Sequence, residues 1–164
     1  MRAGPSQAER GASRACALCT NSVHELLSSR SAALSHGSTF TAINFPAATT
    51  TAAAGINAAG DIAGAWSDAA GSHGFLLQAG VFTPINFPLA ANTTAFGISA
   101  AGEIAGYYSD AAGNTHGFVY ANGAFTTVDV AGARSTQLTR IKNGGPVTGV
   151  HSDAVSGIHG RIGR

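Results

Sequence analysis

The sequence predicts an all-β chain of tandem four-stranded antiparallel meanders, an incomplete β-propeller with two full blades and part of a third. A β-solenoid or a sandwich is the alternative closure. Three observations lead there. Segments recur in register every 42 or 43 residues, each unit divides into four short apolar stretches, and turn chemistry separates the stretches.

The recurrence is direct. FTAINFP (Phe40–Pro46) returns as FTPINFP (Phe82–Pro88) and, degraded, as FTTVDVA (Phe125–Ala131). GINAAGDIAG (Gly55–Gly64) returns as GISAAGEIAG (Gly97–Gly106) and as RIKNGGPVTG (Arg140–Gly149). Ser67-Asp68 matches Ser109-Asp110 and Ser152-Asp153, HGFLL at 73–77 matches HGFVY at 116–120, and His159-Gly160 opens a third copy. So many matches in one register exclude coincidence. Residues 38–164 are read as the array, with units at about 47–88 and 89–131 and a partial one at 132–164.

Within the second unit the strands fall at Thr94–Ile98, Glu103–Ser109, His116–Tyr120 and Phe125–Val130. Ile104, Gly106 and Tyr108 alternate with Ala105 and Tyr107, the period of two that sends successive side chains to opposite faces of a strand. Ser99–Gly102 and Asp110–Thr115 are turn segments, and Asn122-Gly123 is the strongest hairpin signal in the chain. Pro84 lacks an N–H and so places the fourth strand at a sheet edge. The small run Ala52–Gly55 suits an innermost strand.

Residues 1–37 differ, being rich in Ser, Ala and Arg, and are read as a poorly ordered leader; Ser22–Leu34 holds one short candidate helix. Ala15–Cys19 is too short for the ~7–15-residue apolar stretch of a secretory signal, and no run approaches the ~18–20 apolar residues of a membrane span. Cys16 and Cys19 lack the βαβ context of a redox pair and the further ligands of a zinc site, although His24 and His36 lie near; they are read as incidental. With 10% charged residues, a formal net charge of +1 and Lys142 as the only lysine, the chain lacks the basic cluster that nucleic acid or an acidic membrane requires.

The unit G-I-N-x-x-G-x-I-x-G, a Ser-Asp turn, His-Gly-Phe at 73–75 and 116–118, and a closing G-x-F-T resemble the HAF-type extracellular repeats of bacterial proteins. The resemblance covers about three-quarters of the chain. It implies a propeller-like fold and secretion or surface display, and it brings no catalytic residue or cofactor.

Asp68/His73, Asp110/His116 and Asp153/His159 flank equivalent turns. They can form a ring of ligand or metal groups, or serve as struts within each unit; recurrence in every unit favours struts. Trp66, Tyr107 and Tyr108 can stack on sugars, and their repeat-related positions favour packing instead. One carboxylate per turn falls short of a calcium cage, and no nucleophile elbow, P-loop or dinucleotide fingerprint occurs. The expectation is a non-enzymatic binding or surface-interaction module whose partner is a carbohydrate or a protein at the cell surface. The alternatives are a fragment of a carbohydrate-active propeller enzyme and a truncated fragment without function. Two full units and part of a third fall short of the roughly 4–8 blades of a closed ring, which points to further blades or to self-association. Alternate turns of a meander share an end, so the candidate binding face gathers Asp68, His73, Asn92, Thr93, Asp110, Asn114 and His116.

Overall fold

The computed structural model describes residues 32–36, 39–153 and 157–163. They form thirteen strands in antiparallel sheets, and among the described residues there is no helix. No helix among them is therefore long and apolar enough to cross a membrane, which says nothing of spanning strands. Cys16, Cys19, His24 and most of the candidate helix Ser22–Leu34 lie outside the described residues. Its last three positions, Ala32–Leu34, are strand rather than helix, because they pair backbone to backbone with Ile43, Ala42 and Thr41 in turn.

β1 (Ala32–His36) and β2 (Thr39–Ile43) form a two-stranded hairpin. β3 (Thr50–Ile56), β4 (Ile62–Ser67), β5 (Ser72–Gln78) and β6 (Val81–Ile85) pair in chain order as one four-stranded meander. β7 (Asn92–Ile98), β8 (Ile104–Ser109), β9 (Thr115–Ala121) and β10 (Ala124–Val128) repeat that order. β11 (Ser135–Ile141), β12 (Val147–Ser152) and β13 (Ile158–Gly163) follow, and one parallel pair, Ser135 opposite Thr115, joins them to the second group in a seven-stranded sheet.

Local chemistry fixes each connection. Asn122-Gly123 and Ala79-Gly80 both take positive φ at both residues, as a two-residue hairpin turn requires. Pro84 lies on β6, which among the described residues pairs only with β5, so its missing N–H costs no ladder bond. A bulge interrupts the first strand of each group at the same place, between Ala53 and Gly55, Ala95 and Gly97, and Leu138 and Arg140.

The core is made between sheets as much as within them. Phe45, just beyond β2, stacks on Trp66 of β4 with centroids 4.2 Å apart, and meets Phe82 edge-on at 5.1 Å. Phe87, just beyond β6, stacks on Tyr108 of β8 at 3.6 Å and meets Phe125 at 5.2 Å. Phe75 and Phe118 fill the centres of the two clusters and are fully buried. In the third group Val130, His151 and Arg161 hold the corresponding sequence positions, and no such ring cluster forms among the described residues.

The first strands meet through glycine. A Cβ on Gly55 would stand 2.5 Å from the Phe96 carbonyl oxygen, and one on Gly97 would stand 2.8 Å from the Arg140 Cα. Real Cβ atoms do not come so close to backbone, so these two positions set how near β3, β7 and β11 approach.

The links between sheets hold two non-glycine residues in the left-handed region. Ala48, Ala90 and Ala133 each donate an N–H three residues back, to Phe45, Phe87 and Val130. The residue before each donor has positive φ: Ala47 (62°), Leu89 (61°) and Gly132 (79°). Leu89 is fully exposed and so gains no packing in return for the left-handed backbone. Leu89→Gly is therefore expected to raise stability by about 0.5–1 kcal/mol in chemical denaturation; an unchanged or lowered midpoint would contradict the turn geometry.

Candidate functional site

The turns β4–β5 and β8–β9 lie at the same end of their sheets as the links that enter β3, β7 and β11. Thr49, Ala91 and Arg134 of those links donate backbone N–H to Ser67, Ser109 and Ser152. Across sheets, Ser72 N–H donates to Asn92 Oδ1 at 2.9 Å. The face expected from strand parity is thus a physical one, and Asn92 ties the second link to the first turn.

Each turn is held by its aspartate. Asp68 Oδ1 accepts from the amides of Ala70 (2.7 Å) and Gly71 (3.2 Å). The Ala70 amide is the main reason its carboxyl lies below the usual range. Asp110 Oδ1 accepts from Ala112 and Asn114 N–H, and its Oδ2 accepts from the Asn114 side-chain amide at 2.9 Å. Asn114 accordingly lowers the Asp110 carboxyl to about 2. Thr93 is buried, and its hydroxyl accepts from Phe87 N–H at 3.0 Å; Thr51 and Thr136 accept in the same way from Phe45 and Val130. Without that bond the Phe87 amide is an orphan at the root of the ring cluster.

The histidines continue the pattern. His73 Nε2 lies 3.4 Å from Asp68 Oδ1, and its ring stacks on Trp66 at 4.4 Å. His116 Nε2 lies 3.4 Å from Asp110 Oδ2 and stacks on Tyr108 at 5.1 Å. His159 and Asp153 approach to 3.8 Å. Of the seven residues expected on this face, Asp68, Asn92, Thr93 and Asp110 hold backbone amides, Asn114 donates its side-chain amide to Asp110, and His73 and His116 pack on aromatic rings beside their aspartates.

One group was not legible as a partner in the sequence. Asp129 Oδ2 lies 2.8 Å from His116 Nδ1, while Asp129 Oδ1 accepts from Gly117 N–H at 3.2 Å. Asp129 stands where FTPINFP has Asn86, so the degraded copy carried the signal. His116 sits between two carboxylates and can donate to both only as the imidazolium; Asp129 is the largest cause that raises its pKa. No group of three or more His, Cys, Asp or Glu among the described residues is arranged to hold a metal ion.

A second concave region lies along the first strands. A groove of about 550 Å³ is lined by 54–56, 96–98 and 139–141, which are repeat-related triplets. Arg140 brings its only charge, at the position that is Gly55 and Gly97 in the other two.

Two outcomes follow from these contacts. Thr93→Val keeps the shape and removes the acceptor for Phe87 N–H, so denaturation should show a loss of roughly 1–3 kcal/mol; a loss near zero would mean that the bond carries nothing. His116 has a raised folded pKa, so its contribution is complete below the unfolded value of about 6.5 and is lost as pH rises through the folded value. Asp110 has a lowered one, so its contribution is present above about 4 and fades as pH falls toward about 2. Asp129→Asn should lower the His116 pKa in an NMR titration and weaken the decline on the alkaline side; an unmoved titration would remove Asp129 from the account. In comparisons with known proteins, no family model matches the chain, and no curated protein matches it.

Proposed function

We propose that the chain is a non-catalytic interaction module of propeller-type repeats, displayed outside the cell, that binds a carbohydrate or a protein through the face carrying the β4–β5 and β8–β9 turns. The observation that carries this reading is the construction of that face. Its turns and links are held at several points by side-chain bonds to backbone, from Asp68, Asn92, Thr93 and Asp110, with Asn114 bonded to the Asp110 carboxylate. Meanwhile the turn tips Ala69, Ala70, Ala111 and Ala112 stand exposed. Loops fixed on rigid strands present a surface whose ordering cost is already met before a partner arrives. Equivalent tips at a regular spacing suit a partner that itself repeats, such as a polysaccharide. The HAF-type sequence pattern supports display outside the cell.

The struts stay out of the test, because changing them would move the fold. Ala69→Lys and Ala111→Lys alter only exposed tips. On arrays of polysaccharides and in pull-downs with cell-wall preparations, both should reduce binding at least about tenfold, as buried bulk or charge at an interface does, with unchanged circular dichroism. Binding that ignores both tips but disappears on replacing Asn122 and Gly123 at the opposite hairpin would refute the choice of face.

A further inference from the structure

From the groove along the first strands we infer a second binding site, one that takes a sugar acid with its carboxylate on Arg140. It stands apart from the turn face, because 54–56, 96–98 and 139–141 lead into the hairpins at the opposite end of the sheets.

Charge reverses along the repeat at this groove. GINAAGDIAG and GISAAGEIAG each carry one acid and no base, whereas RIKNGGPVTG carries Arg140 and Lys142 and no acid. The two acids are already engaged: Asp61 accepts from the Asn57 side-chain amide at 3.0 Å, and Glu103 from the Ser99 hydroxyl at 3.1 Å. Pro146 stands where a third acid would be. The ion pairs among the described residues join histidine to aspartate, and none of them includes Arg140. Arg140 is exposed on the groove wall, so its guanidinium is offered to whatever the groove holds. A guanidinium presents its N–H donors as a planar fork, which matches a carboxylate with two parallel bonds.

The rest of the wall suits hydroxyls and the apolar face of a ring. Among the described residues β3 pairs only with β4 and β7 only with β8, so the other edge of each keeps backbone N–H and C=O groups out of any ladder. Those edges run close beside the next first strand. A Cβ on Gly55 would meet the Phe96 carbonyl oxygen at 2.5 Å, and one on Gly97 the Thr139 carbonyl oxygen at 3.0 Å. Ala54, Phe96 and Thr139 are the extra residues of the three bulges, and a bulge re-aims the side chain it carries. Phe96 thereby brings an aromatic ring to the groove, half-buried and backed by Tyr107 at 6.1 Å. Ile56, Ile98 and Ile141 add apolar wall, and Ile56 is 54% exposed.

These parts select one class of occupant. A small inorganic anion would use Arg140 and leave the ring and the isoleucines bare. A fatty acid would leave the backbone edges without partners. A sugar acid uses all three, with its carboxylate on Arg140, its hydroxyls on the strand edges and its C–H face on Phe96. The groove, at about 550 Å³, lies within the roughly 300–1,000 Å³ of ligand clefts.

The test is calorimetric titration of the full chain with oligogalacturonate and oligoglucuronate, each beside its neutral methyl ester, and with sodium sulfate. Salt is kept at 0.15 M, where charges beyond roughly 8 Å are screened. The acids are expected to bind, and their esters at least about tenfold more weakly, a comparison that needs no variant. Arg140→Gln should weaken the acids at least about tenfold, as loss of a charge-assisted pair does. Arg134→Gln makes the same change of charge six residues back, roughly 20 Å along a strand, and should leave binding unchanged, with circular dichroism showing that both variants fold. Ala69→Lys and Ala111→Lys should also leave it unchanged, so the groove and the turn face stand or fall separately. Failure of both acids to bind, equal losses from the two arginine variants, or esters as tight as acids overturns the site. Sulfate that binds as tightly as the acids overturns the sugar acid as its occupant.

Discussion

Phe45 and Phe87 leave the outer strand of one sheet and stack within the next, on Trp66 and Tyr108, and the rest of the array depends on that crossing. A four-stranded meander of Gly- and Ala-rich strands has little apolar bulk of its own. The imported ring closes a cluster with Phe75 and Phe82, or Phe118 and Phe125, in which Phe75 and Phe118 are fully buried. Aromatic rings in stacked and edge-on contact add to the area they bury. Each of these two ring clusters is therefore completed by a residue that enters from the neighbouring sheet, and the sheets are expected to stabilise one another.

Two devices hold the crossing in place. Thr51 and Thr93 satisfy the amide of the imported phenylalanine, so the ring enters at a fixed angle without leaving a donor unpaired. Gly55 and Gly97 let the first strands touch, which brings the sheets near enough for the ring to reach. Asn92 and Asn57 add side-chain bonds across the sheets, to Ser72 N–H and the Ser99 carbonyl, at opposite ends of the strands. In the third group the phenylalanine is Val130 and the glycine is Arg140, and there a cavity opens.

How much of this was legible in the sequence differs by residue. Alternation along Ile104–Tyr108 marks β8, and Asn122-Gly123 marks the β9–β10 turn, because both signals are local. Strand parity alone placed the turns at 68–71 and 110–114 at the end where the links run. The role of Thr93 was not legible, since its hydroxyl could as readily face solvent as the Phe87 amide. Asp129 was visible only as a blemish in a repeat; its meaning comes from His116, which lies 13 residues away and is brought close by β9 pairing with β10. The helix at Ser22–Leu34 rested on four apolar positions, and at Ala32–Leu34 the pairing with β2 prevails over that weak periodicity.

Trp66 is the only tryptophan, and it reports on the first group, while Phe87 packs in the second. Denaturation of Phe87→Ala, followed by Trp66 fluorescence and by backbone circular dichroism, therefore measures the crossing most directly. If each sheet relies on its neighbour, both signals shift together to lower denaturant, with a loss of about 3 kcal/mol. A Trp66 transition that stays in place while circular dichroism loses only part of its amplitude would show the sheets to be independent, and would contradict the account.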